Sequence, residues 1–255
     1  MATPQKIRLL ILNPNSSGAM TEGMRTAVSK MALCEFLNIS TYTAPSSAPG
    51  SINDDEGIQA STEAVLADIS EGNLKPDSYD AILVACFSVH TLVSKLSSMT
   101  TAAVTGIFEA SILTSLSIIA PPGGNESWGI VTTGAFWEKH LGDGVSGFLG
   151  SAAGRTNDRF AGTCSSGLTA GDFHTVSPAQ VQEKLKDATI RLLKSSNVRC
   201  IVMGCGGMAG LEGIIRDAAL EVYGQERGKS VHIVDGVRAG LVQLYQTILS
   251  RREFA

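Results

Sequence analysis

Short apolar runs, each closed by a polar or glycine-bearing turn, alternate along this chain with stretches of helical spacing. Ile7–Leu12, Phe36–Thr43, Ala81–Ala85 and Ala102–Thr105 read as strands in the first half, and Trp128–Val131, Cys200–Met203 and Val231–Val234 in the second. Runs that are apolar at nearly every position suit strands covered on both faces, as in a parallel sheet. Helical spacing is expected from about Ser17 to Met31, over Glu56–Ile69, and from about Gly240 to Arg252. Ser177-Pro178-Ala179-Gln180 is a capping-box start with proline at the first helical position, opening a helix to about Ser195. Ala44–Asn53, rich in Pro, Ser and Gly, is expected to be a loop. Leu141–His174 is rich in Gly, Ser and Ala; a helix, a long loop and a short strand are expected there. The alternation predicts an α/β protein with mainly parallel sheets.

The pattern repeats. Ile11-Leu12-Asn13-Pro14 and Ile130-Val131-Thr132-Thr133 stand 119 positions apart, and so do Ile82-Leu83-Val84-Ala85-Cys86 and Ile201-Val202-Met203-Gly204-Cys205. Val104-Thr105-Gly106-Ile107 recurs as Val234-Asp235-Gly236-Val237 at an offset of 130. Each half thus runs strand, polar turn, helix, strand, cysteine, helix, strand, glycine. We expect two pseudo-symmetric lobes with the active site in the cleft between them. Lobe 1 is expected to cover residues 1–107, completed by a C-terminal helix at 238–255, and lobe 2 to cover 108–237.

Composition narrows the class. In 255 residues, 44% are apolar and 17% charged, which is the make-up of a globular protein with a substantial core. The formal net charge is −4 and no Lys/Arg block stands out, so neither nucleic acid nor an anionic membrane is an expected partner. Ile7–Leu12 is too short for a signal segment and is broken by Arg8. No 18-residue apolar run exists, so a cytoplasmic protein without a membrane span is expected. The five cysteines, Cys34, Cys86, Cys164, Cys200 and Cys205, read as free thiols rather than a disulfide framework. No C-x-x-C or H-x-x-x-H spacing argues for a metal.

Two of those thiols carry the chemistry. Cys86 and Cys205 follow equivalent apolar strands, where ligands of open α/β sheets bind. A helix N-terminus beside each would lower its proton affinity and make it a usable base. Inverting a stereocentre needs a proton removed from one face and another returned to the opposite face, which two opposed acid–base groups accomplish. The charge that spreads onto the neighbouring carbonyl needs donors. Candidates are Asn13, Ser16 and Ser17 in the first polar turn, Thr132 and Thr133 in its counterpart, and the Gly206-Gly207 backbone. Ser88 and His90, two and four residues after Cys86, add a hydroxyl and an imidazole. Simpler duties compete: N-capping for Ser16 or Thr133, a capping or surface role for His90, capping of the last helix by Asp235, and core packing for either thiol. Cys200 reads as core, and Cys164 lies in a Gly/Ser-rich stretch within possible reach of a ligand.

The segments LNPNSS at 12–17, VACFS at 84–88, GIVTTGAFW at 129–137, MGCGGMAGL at 203–211 and VDGVRAG at 234–240 resemble, in order, the Asp/Glu/hydantoin racemase family. The resemblance is strongest to its hydantoin and allantoin branch, including fungal members linked to nitrogen catabolism. It implies two Rossmann-like lobes, catalysis by two cysteines without pyridoxal phosphate or any other cofactor, a small-molecule substrate such as allantoin or a 5-substituted hydantoin, and homo-oligomers. One segment departs. Bacterial hydantoin racemases usually continue the first cysteine with a C-F-G-D-P-G-like run, whereas here the chain reads Cys86-Phe87-Ser88-Val89-His90-Thr91. That puts the substrate, more than the reaction class, in question. A related decarboxylase group keeps one of the two cysteines, and both stand here.

Three other readings compete. A two-lobed sensor of a small nitrogenous metabolite would share the architecture. A cis–trans isomerase would use Cys86 as a nucleophile. A dinucleotide-binding protein would use Gly204–Gly210, but the next acid, Asp235, lies too far along the chain and Cys86 is left unexplained.

Overall fold

The computed structural model describes residues 5–121, 124–150 and 158–255. The chain divides into two compact units, residues 1–110 with 237–255, and residues 111–236. The first break falls inside a helix rather than in a linker, because helix α4 (Ile107–Ile118) runs on past it.

In the first unit, β1 (Ile7–Asn13), β2 (Leu37–Thr43), β3 (Ala81–Val84) and β4 (Ala103–Gly106) form a parallel sheet in the order β2-β1-β3-β4. The central strands β1 and β3 are buried almost throughout, as their unbroken apolar runs require. Helices α1 (Gly18–Val28), α2 (Asp55–Ser70) and α3 (Thr91–Met99) connect them. Leu10, Leu12, Ile82, Val84, Leu92 and Leu96 form the heart of one core. Residues 32–36, just before β2, form a 3-10 turn.

The second unit repeats the topology. Its strands are β5 (Ser127–Thr132), β6 (Phe160–Ser165), β7 (Val198–Gly204) and β8 (His232–Asp235), all parallel, in the order β6-β5-β7-β8. Helix α5 (Phe136–Phe148) follows β5, and the four-residue α6 (Asp172–Thr175) precedes α7 (Pro178–Ser195). Ser177 caps α7 as expected: its Oγ accepts from the Gln180 amide and donates to Gln180 Oε1 at 3.0 Å, so the side chain of Gln180 bonds the Ser177 hydroxyl rather than its backbone amide. Helix α8 (Glu212–Lys229) is kinked at Gly224, which sits at φ 75°. Val131, Leu185, Leu192, Ile201, Met203 and Ile215 centre the second core.

Two helices start earlier than the sequence pattern indicates. Helix α5 begins at Phe136 rather than near Leu141, because Ala135 at its N-cap makes no side-chain capping bond and leaves no signature. The last helix, α9 (Gly236–Glu253), begins at once after β8 rather than near Gly240. Helix α9 returns to the first unit, where Gly240 lies so close to Leu83 of β3 that a Cβ there would overlap both leucine methyls. The expected loop of the 141–174 stretch falls partly on residues 151–157, outside the described residues.

Candidate active site

In the first unit the polar turn after β1 is built by side chains bonding to one another. The Asn13 side chain is fully buried; its Nδ2 donates to Asn15 Oδ1 at 3.0 Å, Ser17 O at 3.2 Å and Thr21 Oγ1 at 3.0 Å. Its Oδ1 accepts from the Asn15 amide at 3.2 Å. Ser17 caps α1 by accepting from the Met20 amide, and Ser16 donates to Ala48 O at 3.0 Å. The Asn13 side chain therefore shapes the turn, and capping falls to Ser17 rather than Ser16. Asn15, Thr21 and Thr43 complete this network, with the Thr21 and Thr43 hydroxyls 2.7 Å apart. The sequence signals for the first two were an asparagine inside the turn and a threonine four residues after the cap; Thr43 carried none, being brought in by β1–β2 register.

Cys86 lies two residues beyond the end of β3. The ladder extends to its neighbour, because the Ala85 amide donates to Leu12 O at 2.8 Å. Ser88 is fully buried and donates to Cys86 Sγ at 3.4 Å. Phe87 points into the core and meets Phe108 edge-on, with ring centroids 5.6 Å apart. His90 is the N-cap of α3 and is buried. Its Nδ1 accepts from the Leu92 amide at 3.3 Å, which leaves the proton on Nε2 to bond Ser61 Oγ of α2 at 3.1 Å. Burial pushes its pKa down to about 4, so the ring is neutral. With both nitrogens committed, His90 serves as a cap and a tie between α2 and α3, and the imidazole is not left open to a ligand.

In the second unit the equivalent turn follows β5. Thr132 is fully buried and donates to Gly204 O of β7 at 2.8 Å. Thr133 is buried too, and its carbonyl accepts from the Gly167 amide at 2.9 Å. It does not cap α5, whose N-cap is Ala135. Gly204 has to be a glycine: a Cβ would stand 2.7 Å from Ile130 Cγ2 and 3.0 Å from Thr132 Cβ, against β5.

Cys205 comes next, and its Sγ accepts from the Gly207 amide at 3.3 Å. The expectation of a helix N-terminus beside each thiol needs correction. Cys205 opens only the three-residue 3-10 turn Gly206–Met208, and α8 starts at Glu212. After Cys86, α3 starts at Thr91. A loop intervenes in both cases. Cys205 as a residue is partly exposed, but desolvation of its sulfur pushes the thiol up to about 11, outweighing the pull of the Gly207 and Met208 amides, so this sulfur holds its proton. Gly207 is closely surrounded, its missing Cβ facing Ala170 O at 3.3 Å and Phe173 Cδ2 at 3.4 Å.

The remaining candidates separate by environment. Cys200 is fully buried, 3.5 Å from Ser115 Oγ, and its thiol is likewise pushed up to about 11 by burial. Cys164 is half-buried on β6, with burial raising its thiol against the opposing charge of Arg191. Asp235 is buried at the carboxyl end of β8. No group of three or more potential metal ligands occurs among the described residues. No described helix is long and apolar enough to cross a membrane.

Cys86 and Cys205 thus follow topologically equivalent strands, β3 and β7, next to the equivalent central strands β1 and β5 that end in Asn13 and Thr132. This is a duplicated parallel α/β protein with one thiol at the carboxyl edge of each sheet. The sequence profile of the Asp/Glu/Hydantoin racemase family matches residues 9–244, and the chain belongs to that family. An uncharacterised protein of Schizosaccharomyces pombe is 31% identical over 238 residues, covering 92% of this chain and 89% of its own. A hydantoin racemase of Paenarthrobacter aurescens is 28% identical over 204 residues, 80% of this chain and 79% of its own. Among solved structures, an allantoin racemase from Klebsiella pneumoniae shares the fold with a TM-score of 0.74 at 22% identity, over 96% of this chain and 88% of that one.

Proposed function

We propose that the protein is a cofactor-independent racemase of a small hydantoin-like compound, allantoin or a 5-substituted hydantoin, acting through Cys86 and Cys205. The single observation that carries this reading is the placement of the two thiols after equivalent strands of two sheets with the same strand order. One thiolate takes the proton from the substrate carbon, and the electron pair of that C–H bond moves onto the adjacent carbonyl oxygen. The other thiol delivers its proton to the opposite face as the carbonyl re-forms. The two sulfurs thereby exchange protonation states, and the next turnover runs in reverse.

Cys205, whose burial holds its proton, suits the resting acid, while the hydroxyl of Ser88 stands by Cys86 as a donor to a thiolate. A developing oxyanion needs donors; the Gly206 backbone and the turn after β5 are the candidates, because the amides of Asn15, Ser16, Ser17 and Gly207 already donate within the chain. The same reading makes the protein a cytoplasmic homo-oligomer.

The test is loss of optical rotation from one enantiomer of allantoin or of a 5-substituted hydantoin, measured against the spontaneous rate. Cys86→Ser and Cys205→Ser are each expected to abolish racemisation with the circular dichroism of the fold unchanged. In D₂O, each variant is expected to exchange the substrate proton of one enantiomer at most. Wild-type racemisation by either variant refutes the two-base assignment, and binding without loss of rotation makes the protein a sensor.

A further inference from the structure

One partly buried carboxyl, with one of its oxygens sealed from solvent, has no use in the chemistry described above. Glu109 lies in the first turn of α4, directly after β4. Its Oε2 is buried and accepts no hydrogen bond among the described residues. The side chain folds back over Gly106, the last residue of β4, closely enough that a Cβ on Gly106 would collide with Oε2. Gly106 is paired with Val84, the last residue of β3, two positions before Cys86. The neighbouring Phe108 meets Phe87 of the Cys86 loop edge-on. The orphan oxygen thus belongs to the same sheet edge as the thiol.

We propose that Glu109 is a substrate-binding residue that accepts a hydrogen bond from a ring N–H of the substrate. An unsatisfied buried acceptor is costly and is tolerated where a ligand completes it. Burial pushes the Glu109 carboxyl up to about 7, against the pull of the Glu109 and Gly106 amides. Above that pH the group is ionised, accepts from a neutral N–H and repels the carboxylate of a free amino acid. Glu109 therefore selects cyclic ureides over aspartate or glutamate. The one duty available to it within the fold, the backward reach of a helix-start glutamate to its own turn, occupies backbone amides and leaves Oε2 unsatisfied.

This inference rests on the racemase reading, and its test separates the two. KM and kcat are measured with a 5-substituted hydantoin and its two N-methyl isomers, for the wild type, Glu109→Ala and Glu109→Gln. In the wild type, one isomer is expected to show a KM about 10- to 100-fold above the parent compound, the cost of a lost hydrogen bond to a charged acceptor. In Glu109→Ala the ratio is expected to fall to near one. In Glu109→Gln, whose amide oxygen is a weaker acceptor, it is expected to lie between. Thermal unfolding reports whether each variant folds; should the alanine variant fail, the glutamine variant decides. Ratios equal to the wild type in the folded variants overturn the role of Glu109 while leaving the racemase standing. Absence of racemisation of every ureide by the wild type overturns the racemase reading and this role with it.

Discussion

Replacing His90 with asparagine separates the two duties of that residue and gives the fold a measurable pH signature. Asparagine is as good an N-cap as any residue and keeps a bond to the Leu92 amide, but its shorter side chain gives up the tie to Ser61 on α2, now 3.1 Å from the ring. At pH 7.5 that loss, with the space left by the ring, is expected to cost about 1–3 kcal/mol. Acid reverses the comparison. The folded His90 titrates at about 4 against 6.5 for a free imidazole, so between those values the unfolded chain binds a proton that the folded chain does not. Stability therefore falls as pH drops below about 6.5 and levels off below about 4; by pH 4.5 His90 alone has removed about 2.5 kcal/mol. The ion pair of Arg8 and Asp80, which also weakens in acid, is common to both proteins and cancels in the difference. Urea unfolding followed by circular dichroism at pH 7.5 and 4.5 is the assay. The wild type is expected to be the more stable at 7.5, with the gap closed or inverted at 4.5. If the asparagine variant loses as much stability over that drop as the wild type, the account of His90 as a neutral, buried tie is wrong.

Two further outcomes follow from close packing and from the β1 turn. Gly240→Ala drives a methyl into the fully buried side chain of Leu83, which must shift within the core, and is expected to lower stability by about 1–3 kcal/mol in the same urea assay. Asn13→Asp replaces a donor to three oxygens with a carboxyl that can ionise only against them. It is expected to destabilise the protein by at least as much as Asn13→Ala, with a loss that grows between pH 5 and 8, read from unfolding midpoints across that range.

Much of this molecule was legible along the chain. Strands buried on both faces must be apolar at nearly every position, so β1, β3, β5 and β7 announced themselves, and two halves folding alike left matching spacings that paired Cys86 with Cys205. Residue type and order also carried the family. Helix caps such as Ser177 aside, what no linear pattern contained was the use of each polar side chain. Asn13 was readable as a candidate ligand-binding residue, but its donors are spent on Asn15, Ser17 and Thr21. His90 was ambiguous until Ser61, 29 residues earlier, took its second nitrogen, and the Thr132 hydroxyl is claimed by a carbonyl 72 residues away. The proton held by Cys205 and the unsatisfied oxygen of Glu109 likewise depend on burial. Apolar patterning is local because each residue is buried by its own strand or helix. Hydrogen bonding and proton affinity are set by whichever atoms the fold brings alongside, and those come from distant parts of the chain.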